Sequence, residues 1–211
     1  MDNKSVSDYR TVSKHGVAEI VEKKSRFIAN VKPVTAEEDA VAFINTIKSK
    51  YWDARHNVYA YVIGKHNIQR YSDDGEPSGT AGIPTLEVIK KEGLQDVVVV
   101  VTRYFGGILL GAGGLVRAYG KSAKEGLAAA EIITRKLTAI IEIKAEYPLL
   151  GKIRNEILHR GHMIDDVIYQ ESVTIRTLAE MERADAFVKN MIDVTSGRVI
   201  IERKGEKYIS I

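Results

Sequence analysis

The chain has 211 residues, of which 45% are hydrophobic and 28% charged, with a formal net charge of +3. This suits a proper core in one large or two small domains, and the near balance of 18 basic and 16 acidic residues over 1–134, then 13 and 12 over 135–211, excludes a basic arm or acidic tail, so a nucleic-acid site would have to be a local patch. With no cysteine there can be no disulfide, thiolate zinc site or cysteine nucleophile, which suits a reducing cytoplasm.

Residues 1–15 are polar and expected to pack loosely; they lack the apolar run of a signal peptide, and no window approaches the length of a membrane span. Val17–Lys23 and Arg26–Val34 read as strands with a turn or bulge at Ser25-Arg26. Thr35-Ala36-Glu37-Glu38 has the form of a capping box opening a helix to Tyr51, with Ala40, Ile44, Ile47 and Tyr51 on one face. His56–Gly64 and Ile68–Ser72 form a strand pair. A loop over Asp73–Gly79 leads into a helix that starts between Thr80 and Pro84 and stops at Gly93. Val97–Arg103 begins with five consecutive valines; a strand without alternation is buried on both faces and lies centrally in a covered sheet. Gly113–Ala130 is a helix whose Leu115, Ala118, Ser122 and Gly126 make a small face for close approach to a sheet.

The pattern changes near Ile132. Leu137 to Tyr147 alternates as a strand with one wet face, Pro148 opens a helix to Arg160, strands follow at Met163–Tyr169 and Ser172–Leu178, then a helix at Glu180–Ile192 and a strand at Gly197–Arg203. The order βαββαβ is the ferredoxin-like split pattern. The expected fold class is α+β: an N-terminal α/β domain over 1–134 and a ferredoxin-like domain over 135–211, joined by a short linker at 132–137.

The chemistry concentrates between Tyr71 and Lys121, where ten of the 17 glycines fall. Glycines set among Leu and Ile imply tight turns and close packing. The run Gly106-Gly107-Ile108-Leu109-Leu110-Gly111-Ala112-Gly113-Gly114 follows the valine strand and precedes a helix, where anions are often bound. It matches neither a P-loop nor a dinucleotide fingerprint, because Gly114 and Gly120 enclose five residues and Gly111-x-Gly113-x-x-Val116 lacks a third glycine. It is either an anion site or a purely structural turn. Asp73, Asp74 and Glu76 could supply a magnesium site or a base, or could simply cap their own loop. Arg117, Lys121 and Lys124 share one helix face, and Arg103-Tyr104-Phe105 closes the valine strand; basic groups beside an aromatic suit a nucleic-acid backbone, while a solvated helix face is the plainer alternative. The five histidines, His15, His56, His66, His159 and His162, are scattered; His159 and His162 could share a helix face but have no carboxylate at metal spacing, and no catalytic triad is readable. No metal or cofactor is expected.

YSDDGEPSGTAG followed by VTRYFGGILLGAGGLVRAY closely resembles the signature of the IMPACT family, and the resemblance extends over nearly the whole chain. It implies an N-terminal domain similar to the second domain of a small-subunit ribosomal protein, and a C-terminal domain similar to the last domain of elongation factor G. Eukaryotic members restrain a stress kinase acting on translation initiation; bacterial relatives are described as nucleic-acid binders or translation regulators. The expected function is therefore a non-enzymatic, cytoplasmic regulator linked to translation that binds RNA or a ribosomal surface. Its expected site comprises Arg103, Tyr104, Gly106, Gly107, Gly113, Gly114, Arg117 and Lys121, with Asp73, Asp74 and Glu76 as a second loop. A phosphate-ligand protein or enzyme using the two loops, and a protein–protein regulator in translation control, remain as alternatives.

Overall fold

The computed structural model describes residues 8–64 and 67–211. Its contacts divide the chain into two compact units, one of Tyr9–Thr134 and one of Arg135–Ile211 with Asp8. The fold is α+β with antiparallel sheets in both. His66 lies outside the described residues, and no helix among those described is long and apolar enough to cross a membrane.

The first unit is built on a sheet of β2 (Gly16–Glu22), β3 (Ser25–Pro33), β4 (His56–Ile63), β5 (Ile68–Ser72) and β6 (Val97–Tyr104), in the order β2-β3-β6-β4-β5. The valine strand β6 is central, and all five valines are fully buried. Alternation sends Val97, Val99 and Val101 to one face, where they pack with Phe27, Ala29 and Val31 under α2 (Gly82–Lys91) and α3 (Ala112–Ala129). Val98 and Val100 face the other way, into a core with Phe43, Ile44 and Ile47 of α1 (Glu37–Lys50). Two apolar faces explain the unbroken valine run. The close approach of α3 depends on Gly126, where a Cβ would lie 2.7 Å from the Ala29 Cβ.

Three local expectations fail. Tyr9–Val12 is not loose but a strand, β1; Val12 is buried, and the Thr11 hydroxyl donates to the Asp96 carbonyl at 3.1 Å. Thr35 does not cap α1: the helix starts one residue late for that box, its N-cap is Ala36 without a side-chain bond, and Glu37, Glu38 and Asp39 complement the first turn instead. The β2–β3 turn falls at Lys23-Lys24, both at positive φ, with Ser25 already in β3.

The second unit follows the order βαββαβ: β7 (Ile132–Ala145), α4 (Leu150–His159), β8 (Met163–Tyr169), β9 (Val173–Glu180), α5 (Ala184–Thr195) and β10 (Ile200–Ser210). The strands pair as β10-β7-β9-β8, all antiparallel. Residues 132–137 are not a linker but the start of β7. Pro148 sits in a 3-10 turn, Tyr147–Leu149, ahead of α4, and a second such turn, Met181–Arg183, delays α5. The last strand runs to Ser210, past a bulge at Arg203/Gly205 that interrupts its register with β7. Ala139, Ile141 and Ile143 alternate into a core with Ile153, Ile157, Phe187 and Met191. His159 ends α4, while His162 lies beyond it, buried against the Phe187 ring at 4.5 Å, so the two do not share a helix face.

Candidate functional site

The end of β6 determines where the expected site residues go. Successive side chains of a strand point to opposite faces, so Arg103 and Tyr104 part company. Arg103 turns toward α3 and lies between the Phe27 and Phe105 rings, 5.4 and 5.7 Å from their centroids. Its Nη1 donates to Glu76 Oε1 at 2.7 Å, and the two side chains are only 8% and 3% exposed. Tyr119 of α3 donates its hydroxyl to the same carboxylate oxygen at 2.8 Å. Burial, with the Glu76 charge beside it, pushes the Tyr119 phenol far up from its ordinary value. Arg103 was expected to meet a ligand phosphate. It is instead the buried counter-ion of Glu76, because a charged guanidinium is buried at the inner face of a covered sheet at tolerable cost only beside a carboxylate.

Tyr104 faces the α1 side. Its hydroxyl donates to Asp53 Oδ1 at 2.7 Å, which raises its pKa to about 12, and the Arg26 guanidinium lies 5.6 Å from its ring centroid. Tyr104 therefore lies across the sheet from Arg117 and Lys121 and cannot stack a base beside them.

The acidic loop is consumed by internal bonds. Asp73 Oδ1 accepts the Ala81 and Gly82 N–H groups at 3.0 and 2.8 Å, and its Oδ2 accepts Gly79 N–H at 2.9 Å, so the side chain closes the loop onto the start of α2. Asp74, at φ +46°, accepts the Asn57 N–H at 2.6 Å and pairs with Lys48 at 2.7 Å. No group of three or more potential metal ligands occurs among the described residues. Through Glu76 this loop is tied to Arg103, close to where the glycine run leaves the sheet.

The glycine run uses its glycines unevenly. A Cβ on Gly106 would fall 2.0 Å from the Lys24 carbonyl carbon, so only glycine lets this loop cross the β2–β3 turn; the Gly106 N–H donates to Ser25 Oγ at 3.1 Å. Gly107 and Gly111 have φ of +82° and +70°, and Gly111 is the N-cap of α3. Of the apolar residues between them, Leu110 packs against the core but Ile108 is exposed and Leu109 is 82% exposed; Phe105, just before the run, is exposed as well.

Gly113 and Gly114 form the first turn of α3, followed by Arg117, Lys121 and Lys124 on its solvent face. Among the described residues none of these three cations has an ion pair or side-chain hydrogen bond, nor has Lys23 on the β2–β3 turn. Glu22, Lys23, Arg117 and Lys121 line a recess of about 230 Å³, walled on its apolar side by Leu110 and Ala118. Lys23, Ser25 and Tyr119 were missed in the sequence. The Lys23-Lys24 pair at a strand turn was the one available signal, since Ser25 and Tyr119 matter only through contacts distant in sequence.

The profile of the Impact N-terminal domain matches residues 23–127, and that of a domain of unknown function, DUF1949, matches 143–198. The chain is 49% identical over 202 residues to the IMPACT family member YvyE of Bacillus subtilis (strain 168), covering 95% of this chain and 93% of the relative. It is 35% identical over 180 residues to YigZ of Escherichia coli (strain K12), covering 83% and 87%. Similarity to Protein IMPACT of Mus musculus, 37% over 101 residues, covers 46% of this chain and 31% of that one. A solved structure described as the crystal structure of an hypothetical protein aligns with a TM-score of 0.60 and 30% identity, covering 93% of this chain and 97% of the other. At this identity over nearly the full length of its bacterial relatives, the chain belongs to the IMPACT family.

Proposed function

We propose that the protein is a non-enzymatic regulator linked to translation, binding RNA or an RNA-rich ribosomal surface through the α3 face of its first unit. The observation that carries this reading is the set of unpaired cations: Lys23, Arg117, Lys121 and Lys124 stand in solvent without carboxylate partners beside an exposed glycine loop. Unpaired surface cations attract phosphates and release counterions on binding. The free N–H groups of the first α3 turn, at Gly113 and Gly114, can assist. Arg103, Glu76, Asp73 and Asp74 shape this face from beneath; Tyr104 takes no part in it. An enzyme acting through Asp73 and Asp74 loses support, since both carboxylates are already engaged.

A titration of a short single-stranded RNA at several salt concentrations tests the proposal. About three neutralised phosphates give a log–log slope of roughly −2 to −3. Arg117→Ala with Lys121→Ala flattens it by about one for each phosphate no longer neutralised. Salt-insensitive curves, identical for both proteins, would sink it. Leu109, Ile108 and Phe105 favour a second reading, a protein partner in translation control docked on the loop; Leu109→Ser would then abolish binding that Arg117→Ala and Lys121→Ala leave intact.

A further inference from the structure

The cations of the α3 face are not arranged as a simple track. Arg117, Lys121 and Lys124 follow the helix, but only the first two reach the recess, where Lys23 joins them from a separate element, the turn between β2 and β3. A groove for a nucleic-acid backbone needs cations strung along a path. A recess with cations converging from two elements suits one compact anion.

The charge balance indicates which anion. Lys23, Arg117 and Lys121 against Glu22 leave a formal charge of +2 around the recess. An internal phosphodiester carries one negative charge, whereas a phosphate monoester carries about −1.5 to −2 at neutral pH. At about 230 Å³ the recess is smaller than typical ligand pockets, which run from about 300 to 1,000 Å³. It holds a phosphate and part of the group bearing it, with Leu110 and Ala118 as the apolar wall for that group. Arg117 supplies a planar fork of donors, and the two lysines act as point charges. Because Lys23 sits at φ +45° on a tight turn, its Cα is fixed by the backbone rather than by a flexible loop.

We infer that the recess between the β2–β3 turn and α3 is a binding site for a phosphate monoester, with Lys23, Arg117 and Lys121 as its cationic ligands, whose net positive field, tempered by Glu22, favours a dianion over a monoanion. The inference rests on the reading of the α3 face as phosphate-recognising and narrows it from backbone to phosphate end. Such a group comes either from the 5′ end of an RNA strand or from a small phosphorylated molecule.

Two RNAs of one sequence, one with a 5′-monophosphate and one with a 5′-hydroxyl, distinguish the cases, alongside inorganic phosphate and adenosine monophosphate as small probes followed through the Gly113 and Gly114 amide resonances. The phosphorylated RNA should bind about tenfold or more tightly, the effect of one or two charge-assisted hydrogen bonds. Lys23→Gln should erase that preference, Glu22→Gln should raise affinity for both RNAs and widen the preference, and Lys124→Gln should weaken both RNAs equally. If the two RNAs bind alike, or neither binds, while the small probes shift the amides in the wild type and not in Lys23→Gln, the ligand is a small phosphate monoester, and the inference stands without RNA. Equal RNA binding with no amide response to the small probes overturns the inference and leaves the backbone reading in place. Amide shifts that persist unchanged in Lys23→Gln overturn it as well.

Discussion

The α3 face of the first unit and the open sheet face of the second treat charge in opposite ways. In the second, the sheet face turned away from α4 and α5 is neutralised pair by pair: Arg176 donates to Glu142 at 2.7 Å, Lys136 to Glu180 at 2.9 Å and Lys207 to Asp165 at 2.9 Å, with Lys204 also beside Glu142 and Glu202. On that face Lys144 and Asp166 lack an ion pair among the described residues. In the first unit the one buried ion pair among the described residues, Arg103–Glu76, holds two loops together from inside, while the cations of α3 are left unpaired outside. A surface whose charges are already matched has little left for a ligand. A surface with unmatched charge over a rigid base is available for one, and this difference, rather than net charge, separates these two faces.

The sharpest way to break the comparison is to remove Glu76. Glu76→Ala leaves Arg103 as an uncompensated buried cation and strips the Tyr119 hydroxyl of its acceptor, at an expected cost of about 3–5 kcal/mol. The loss is read from faster hydrogen exchange at the Val97–Val101 amides. Replacing both members, as Glu76→Leu with Arg103→Met, should recover much of it, because apolar groups of similar volume need no counter-charge. A loss under about 1 kcal/mol for Glu76→Ala would show that the pair does not anchor the acidic loop.

Glycines inside helices give the next contrast. Gly126 of α3 is pressed against Ala29 and Val31, so Gly126→Ala should overpack the core and cost about 1–3 kcal/mol by chemical denaturation. A Cβ on Gly151 of α4 meets nothing within 4 Å, and Gly151→Ala should stabilise by about 0.5–1 kcal/mol through helix propensity alone. The same substitution thus changes sign between the units.

How much of this could be read beforehand follows from where each signal resides. The valine run announced a central strand because five unbroken β-branched residues fit only a sheet covered on both faces. The small stripe ending in Gly126 announced a helix lying close on that sheet. The fate of Arg103 was not legible, since its partner Glu76 is 27 residues away and which face of β6 it meets depends on sheet pairing. The parting of Arg103 and Tyr104 was available from strand alternation; reading the two as one cluster ignored it. β1 was hidden because its order comes from distant groups, Asp96 and the Ala130–Glu131 backbone, rather than from its own four residues. Lys23 became part of the site only when a turn placed two residues earlier than expected brought it over α3.

A titration sharpens the picture of the second unit. His162 is 6% exposed, and burial against Phe187 lowers its pKa below the usual 6.5; Arg183 and Arg160 push the same way and Glu180 opposes them. A lowered pKa means that the folded state binds the proton less readily than the unfolded state. The stabilisation is therefore complete above pH 6.5 and is lost as pH falls through the lower folded value. Opening of α5, followed by hydrogen exchange corrected for intrinsic rates, should become easier on acidification from pH 7 in the wild type. In His162→Phe that dependence should flatten. An unchanged pH profile in the variant would remove His162 as its source.

The smallest effect expected is at the matched surface itself. Arg176 and Glu142 share two hydrogen bonds, at 3.0 and 2.7 Å, yet the side chains keep 35% and 19% of their exposure, so water screens them. A double-mutant cycle with Arg176→Ala and Glu142→Ala should return a coupling of about 0.2–1 kcal/mol. The pair sits in a network through Lys204, which favours the upper part of that range. Added salt should reduce the coupling, since the Debye length falls to about 3 Å at 1 M. The Arg103–Glu76 pair, sealed under Phe27 and Phe105, should keep its coupling in the same salt series. If both couplings fell together, solvent would be reaching the pair beneath the glycine loop, and the rigid base on which the α3 cations are proposed to act would be lost.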